Sequence, residues 1–375
     1  MIYLDHGSTS PLRPEALEAM LEWMGPQVGD PTRIHSPGRL ANYALENSRQ
    51  QVAHLVGVRP RQVIFTSGAT EAINTACWSC VKKEPDSGII TSPIEHSSVR
   101  GASKRASFVI EPEVDSKARL DIASLEKALS RNKISLVNIQ LANHEVGTIQ
   151  PVSELANLCH KFGAIVHSDG ASALGAMDVN FESLGIDMLS ISSHKIGGPS
   201  GVGALVIKKG LSLEPLLLGG QQERFKRAGM PNLAGIVGFG KVAELLTQNN
   251  GLTGQMDHFQ KLYKQSLSHL LSIQGVRHYG PEPPNAVSHI ISLDVKGLES
   301  ESILLGLDQL GFALHAGSAC SSLEIQPSSV LQAMKTETQN ALRISFGWSN
   351  TEKEIQAFNQ AFSKVVTDLQ SLSNR

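Results

Sequence analysis

Cysteine is scarce here: Cys77, Cys80, Cys159 and Cys320 are the only four in 375 residues. So few thiols in so long a chain exclude a disulfide framework and point to a reducing, cytoplasmic setting. No run of about 18 apolar residues occurs, so no membrane span is expected. The start, Met1-Ile2-Tyr3-Leu4-Asp5, lacks the basic residues and apolar stretch of a signal peptide. Charge bias is also missing: the formal net charge is −2. Nothing therefore favours nucleic acid or an anionic membrane surface as a partner. The 33 glycines and 17 prolines are spread along the chain, so no long disordered tract is indicated, and no internal repeat is seen. What remains is an ordinary globular composition, 41% hydrophobic and 18% charged, in a chain long enough for two domains and a substantial core.

From about residue 60 to 208, short β-rich runs alternate with helical patterns. Val63-Ile64-Phe65-Thr66, Ile89-Ile90-Thr91, Leu136-Val137-Asn138-Ile139 and Ala164-Ile165-Val166-His167 read as buried strands. Asp121 to Ser130 and Pro151 to Phe162 read as helices, the second with proline at its first helical position. This alternation implies an α/β fold with a largely parallel sheet covered on both faces. Ligands of such sheets sit outside the carboxyl ends of the strands. A helical connector near 232 to 273 leads to a smaller unit. Its strands are expected at Ser288 to Val295 and Ala341 to Phe346, with a closing helix from about Glu352.

The polar motifs fall at strand ends. Ser190-Ile191-Ser192-Ser193-His194-Lys195 runs into Ile196-Gly197-Gly198-Pro199-Ser200-Gly201 and delivers hydroxyls, an imidazole and an amine into a glycine-rich loop. A lysine so placed either forms a Schiff base with an aldehyde cofactor or is a surface lysine beside a turn. Asp169 ends its strand, where a carboxylate pairs with a protonated pyridine nitrogen or simply caps the next helix. Phe65-Thr66-Ser67-Gly68-Ala69-Thr70-Glu71 passes from strand to helix, and the first helical N–H groups with the Thr70 hydroxyl form a natural phosphate seat. His96 follows the next strand and either stacks on an aromatic cofactor or is structural. Arg343, a charge on an apolar strand, is either paired within the protein or left to clamp a carboxylate. Cys320 lies among small residues in His315-Ala316-Gly317-Ser318-Ala319-Cys320-Ser321-Ser322, a pattern for an exposed, reactive thiol. Cys77-Trp78-Ser79-Cys80 is formally a CxxC. It falls inside a helix without a second ligand pair, so packing is expected and no metal site. Cys159 is expected in the core.

Taken in order, these motifs resemble the cysteine desulfurase family, in the branch of the NifS and IscS proteins. The resemblance spans nearly the whole chain. It includes Tyr3-Leu4-Asp5, the Thr66 to Glu71 run, Glu95-His96, Gly147 with Gln150-Pro151, and Ser192-x-His194-Lys195. It continues through Gly219-Gly220-Gln221-Gln222-Glu223, Arg227-Ala228-Gly229 and Gly317 to Cys320, to Leu342-Arg343-Ile344-Ser345-Phe346-Gly347. It implies a fold-type I homodimer that uses pyridoxal 5'-phosphate. A large domain over 13–246 would hold the cofactor, and 1–12 with 247–375 would form a small domain carrying the Cys320 loop. It further implies Lys195 as the Schiff-base lysine, Asp169 as partner of the pyridine nitrogen, and His96 as ring-stacking proton carrier. Ala69, Thr70, Ser192 and His194 match phosphate-binding positions. Arg343 and Asn143 match substrate-binding positions, and Cys320 the nucleophile that takes sulfur as a persulfide.

Four departures surround that site. His144 stands for a usual asparagine and Ser172 for a glutamine, both facing the ring's phenolic oxygen. Met230 replaces a threonine or serine that reaches the phosphate from the partner subunit. Asp30 replaces the asparagine of a usual Gly-Asn-Pro near the substrate carboxylate. The implied activity is removal of sulfur from L-cysteine, giving alanine and a persulfide on Cys320 for a sulfur-acceptor protein in iron–sulfur assembly or thiolation. Selenocysteine or another β-substituted amino acid is an alternative substrate. A binding-only role in a sulfur-transfer assembly is an alternative of another class, which would need neither Lys195 nor Cys320.

Overall fold

The computed structural model describes residues 1–26, 28–316, 319–321, 324–326, 328–336 and 340–373; the side chains of 319–321, 324–326 and 373 lie outside that description. The chain opens with β1 (Ile2–Tyr3), α1 (Pro14–Leu21) and α2 (Ser36–Leu55). An alternating stretch follows: β2 (Val63–Thr66), α3 (Ala69–Lys83), β3 (Gly88–Thr91), α4 (Ser97–Ser103), β4 (Val109–Ile110), α5 (Ile122–Arg131) and β5 (Ile134–Asn138). It continues with α6 (Val152–Lys161), β6 (Ile165–Asp169), α7 (Phe181–Leu184), β7 (Met188–Ser192) and β8 (Gly203–Ile207). Helices α8 (Leu233–Thr247) and α9 (Gly251–Leu270) lead to β9 (Val276–Tyr279), β10 (Ile290–Val295), α10 (Ser300–Gln309), β11 (Phe312–Ala313) and β12 (His315–Ala316). The last elements are the hairpin β13 (Ala319–Ser321) and β14 (Glu324–Gln326), α11 (Ser329–Ala333), β15 (Leu342–Ser345) and α12 (Glu352–Ser373).

Strands β2 to β8 form one sheet in the order β2-β8-β7-β6-β5-β3-β4. It is parallel from β7 to β4, and only β8 runs against its two neighbours. The expected α/β fold with a mainly parallel sheet is therefore present. Its strands other than β4 are buried almost throughout because both faces are covered. Successive residues alternate between two cores: Phe65, Ile90, Val137 and Val206 enter one, while Ile64, Ile89, Leu136 and Leu205 enter the other. Burying each such side chain contributes roughly 1.5–3 kcal/mol. Cys77 and Cys80 pack into the second core and Cys159 into the first, and burial pushes their thiols up to about 11, 12 and 12. The expectation that these three are packing residues holds.

A second, antiparallel sheet, β12-β15-β10-β9, comes from the C-terminal third, and β1 pairs with β11. Several details differ from the sequence reading. Asp121 caps α5 through Ser124 N, but Pro151 is the residue before α6, not its first helical residue. The connector is two helices, broken where Asn249 and Asn250 adopt left-handed backbone (φ 49° and 59°). Strand β8 was not anticipated: Val202 to Ile207 is a short apolar run that periodicity cannot assign.

Candidate active site

The carboxyl ends of β2, β3, β5, β6 and β7 open into a cleft of about 760 Å³. Ten sequence-selected residues line it: Ala69, Thr70, His96, His144, Asp169, Ser172, Ser192, His194, Lys195 and Arg343. Ala69 and Lys195, 126 positions apart, meet there because every parallel strand ends on the same side of the sheet, and Arg343 joins them from β15 of the second sheet.

Lys195 sits in a single 3-10 turn, His194 to Ile196, just beyond β7. The N-terminal segment holds this turn carbonyl by carbonyl. Ser10 N donates to His194 O (2.9 Å), Ser10 Oγ to Lys195 O (2.9 Å), Arg13 Nε to Ile196 O (3.1 Å) and Arg13 N to Gly197 O (2.8 Å). Gly197 closes the turn with φ +85°, and a Cβ there would lie 2.7 Å from Trp348 Nε1 and 2.8 Å from Arg13 Cγ. Backbone conformation and space both require glycine at that position. The Lys195 amine donates to Ser172 Oγ at 3.1 Å. Burial, aided by Arg343 and opposed by Asp169 and Asp5, pulls it down to about 8.

Asp169, at the end of β6, is 8% exposed; its Oδ1 accepts from Ala171 N (3.0 Å) and Ser190 Oγ (3.3 Å). His96 caps α4, its Nδ1 accepting from Ser98 N (3.2 Å), which leaves the proton of the neutral ring on Nε2. Its ring meets that of His144 edge-on, with centroids 5.2 Å apart. Burial lowers the pKa of both imidazoles: Lys195 and Arg343 add to the effect on each, and Asp169 opposes it at His96. Among the described residues, His144 Nδ1 is buried with no hydrogen-bond partner, and so is Ser192 Oγ. The N–H groups of the first turn of α3 open at Ala69 and Thr70. His194 Nδ1 lies 3.2 Å from Thr9 Oγ1.

Arg343 resolves the two alternatives only in part. Its Nη2 donates to Asp5 Oδ1 and Ser8 Oγ, both at 2.7 Å, and its Nη1 to His144 O at 3.0 Å. Nε is buried and has no partner among the described residues. Asn143 is placed differently from the sequence expectation. It is fully buried, donates to Ile94 O (3.2 Å), accepts from Glu145 N and Val146 N (each 2.8 Å), and does not line the cleft. In this structure it shapes the loop that presents His144. Of the departures, Ser172 partners Lys195 directly. Asp30 folds back on Thr32 and Arg33, and Met230 is 61% exposed beside a separate cavity. Cys320 lies on β13 opposite Ile325; its side chain, and residues Gly317, Ser318 and Ser322, are outside the described residues.

Sequence reading missed three groups. His315, on β12 opposite Arg343, lines the cleft, and its buried Nδ1 has no partner among the described residues. Glu145, pushed up to about 7 by burial, accepts a hydrogen bond from Ser328, the cap of α11. Glu95 is 1% exposed, and burial holds its carboxyl well above the usual range. Both glutamates neighbour a selected histidine in sequence, which was the available signal. Among the described residues no cluster suited to a metal ion occurs, and no helix is long and apolar enough to cross a membrane.

An aminotransferase class-V profile matches residues 2–358. The chain is 36% identical to the cysteine desulfurase IscS of Dictyoglomus turgidum over 99% of its own length and 96% of that protein's. It is also 36% identical to a cysteine desulfurase of Cereibacter sphaeroides, with 99% and 97% covered. Among solved structures, a NifS-like protein superposes with a TM-score of 0.90 at 31% identity, over 98% of this chain and 99% of that one. The apo cysteine desulfurase of Thermococcus onnurineus superposes with a TM-score of 0.86 at 26% identity, over 98% and 95%. With a strand-end lysine, a facing aspartate and full-length likeness on both counts, the chain belongs to the aminotransferase class-V family, in its cysteine desulfurase branch.

Proposed function

We propose that this protein is a cysteine desulfurase that takes sulfur from L-cysteine with pyridoxal 5'-phosphate and passes it on from Cys320. One observation carries the reading: Lys195, an amine lowered to about 8, shares a cleft with Asp169, His96 and Arg343. The family is pyridoxal-phosphate dependent, and the residues present fit that group. The cleft holds unpartnered polar atoms, Ser192 Oγ and His144 Nδ1, next to the open first turn of α3. Ala69, Thr70, Ser192 and His194 would take the phosphate, Asp169 the ring nitrogen, and His144 with Ser172 the phenolic oxygen. When bound, pyridoxal phosphate supplies an aldehyde carbon for an amine and a ring that spreads charge from the substrate's α-carbon.

The chain's own groups account for the rest. Lys195 exists partly as the free amine near neutrality, so it can act as nucleophile and accept a proton. Arg343 takes the substrate carboxylate by exchange from Asp5 and Ser8. His96, neutral and protonated on Nε2, moves a proton over the cleft. The Cys320 thiolate attacks the substrate sulfur: an S–S bond forms, and the Cβ–S pair stays with carbon. A proton then completes the methyl group of alanine. The persulfide left on Cys320 goes to a sulfur-acceptor protein. In this reading the protein works as a homodimer, which the exposed Leu218, Phe225 and Met230 on one segment support. Residues 13–246 form the cofactor-binding domain, and 1–12 with 247–375 the smaller one. The test is incubation with L-cysteine, measuring alanine and sulfide with and without a reductant. Equimolar alanine and reductant-dependent sulfide are expected; absence of alanine overturns the reading.

A further inference from the structure

A second, small chamber of about 20 Å³ shares Gly7, Ala171, Ser172 and Lys195 with the cleft. A single water needs on the order of 10–15 Å³ by this measure. His6, His289, Ser172 and Lys195 line it, against the apolar Phe259 and Phe346. His6 is 3% exposed and His289 9%, and each has a buried ring nitrogen with no hydrogen-bond partner among the described residues, Nε2 of His6 and Nδ1 of His289.

The tautomer of His6 follows from its neighbours. Ser10 has one hydroxyl proton and donates it to Lys195 O, so at 2.9 Å it accepts from His6 Nδ1. His6 Nε2 is then a bare acceptor. The ring lies so close to Gly347 that a Cβ there would sit 1.8 Å from Nδ1, which pins it flat. Burial holds both imidazoles neutral, His6 at about 4 and His289 at about 3. Two neutral, immobilised imidazoles with unmet nitrogens around a water-sized space are costly unless something bridges them.

We propose that this chamber is a water site, and that His6 and His289 are positioning residues which, through that water, hold the Lys195 amine and set where it gains and loses its proton. The water donates to His6 Nε2 and accepts from the amine, so it favours the ammonium form. The amine also faces Asp169 from β6, Asp5 from the N-terminal segment, Arg343 from β15, and the imidazoles of His96, His144, His194 and His289. Those groups set the baseline; the chamber adjusts it. The inference rests on Lys195 being the reactive amine, which borohydride fixation of cofactor tests separately.

The measurement is competitive labelling of Lys195 by an amine-reactive reagent, read by peptide mass spectrometry on the full chain freed of cofactor. In His6→Leu, which fills the chamber and removes the acceptor, the labelling midpoint should fall by about one pH unit, a tenfold change in proton affinity. His6→Asn keeps the Ser10 bond but is too short to reach the chamber, and should shift likewise. His6→Gln, long enough to present an acceptor at the Nε2 position, should return the midpoint toward that of the unaltered chain. If His6→Leu does not fold, His6→Asn and His289→Asn carry the test. A midpoint unmoved in His6→Asn overturns the proposal, and so does a crystal structure of the cofactor-loaded protein with no ordered water on His6 Nε2.

Discussion

Two arginines are almost equally buried in this protein and do different work. Arg49, 2% exposed, makes two bonds to Glu223 (2.7 and 2.8 Å), one to Glu46 (3.0 Å) and one to Val63 O (3.0 Å), and lies over the Phe65 ring. Arg343, 6% exposed, lines the cleft and is tied to Asp5, Ser8 and His144 O, but among the described residues its Nε has no hydrogen-bond partner. Burial alone does not separate scaffold from site. What separates them is whether the buried group's bonding capacity is met within the chain, because an unmet buried donor costs about 1–3 kcal/mol and persists where a ligand completes it.

The same contrast runs through lysine and cysteine, and matched substitutions test it. The largest difference is expected between Lys195 and Lys208, the latter 3.0 Å from Asp187 and 54% exposed. Lys195→Ala should lose borohydride-fixable cofactor and reduce alanine formation by on the order of 10²–10⁴-fold or more. Lys208→Ala should change neither. Cofactor still fixed in Lys195→Ala would show that another lysine carries the chemistry.

Cysteine should separate next. Cys320→Ala should bind cofactor yet form no protein persulfide, whereas Cys159→Ala should keep full activity and lose about 1 kcal/mol of stability. Alanine produced at the normal rate by Cys320→Ala would break the contrast and favour direct lyase chemistry.

For the arginines themselves, Arg343→Gln should raise KM for cysteine about 10- to 100-fold, matching a lost charged hydrogen bond of about 1.5–3 kcal/mol. Its unfolding midpoint should change little. Arg49→Gln should do the reverse, stranding Glu223 and costing about 3–5 kcal/mol of stability with kcat/KM of the folded protein preserved. Steady-state kinetics and denaturant unfolding on both variants decide the matter, and a KM effect from Arg49 would undo the distinction.

The smallest effect is a stability signature of Lys195. Its amine is lowered from 10.5 to about 8, so the unfolded chain binds the proton more tightly. Cofactor-free protein should therefore carry the whole penalty below about pH 8, up to about 3 kcal/mol, and recover it as pH rises toward the ordinary lysine value. Lys195→Met should be more stable than the unaltered chain at neutral pH, with the gap closing at alkaline pH. A gap that does not depend on pH would place the effect in packing.

Much of this was legible in the chain. Apolar runs of four or five residues between helical periods identify doubly covered strands, and the sheet rule then sends Lys195, Asp169, His96 and Thr70 to one edge. Helical periods such as Asp121 to Ser130 are local and are recovered almost to the residue. Cys77 and Cys80 could be judged from their helical spacing. Whether a polar side chain is satisfied could not be judged that way. Asn143 and His144 are adjacent, and only the fold turns one inward onto Ile94 O and the other to the cleft. His6 and His289 carry no motif, and they meet at the chamber beside Lys195 because the N-terminal segment lies along its turn while His289 comes in just before β10 of the second sheet. Periodicity, caps and strand ends follow from interactions between residues near in sequence, so the chain alone determined them. Partner, tautomer and unmet bond depend on residues up to 347 positions apart, as Asn350 and Tyr3 are, so only the tertiary structure decided them.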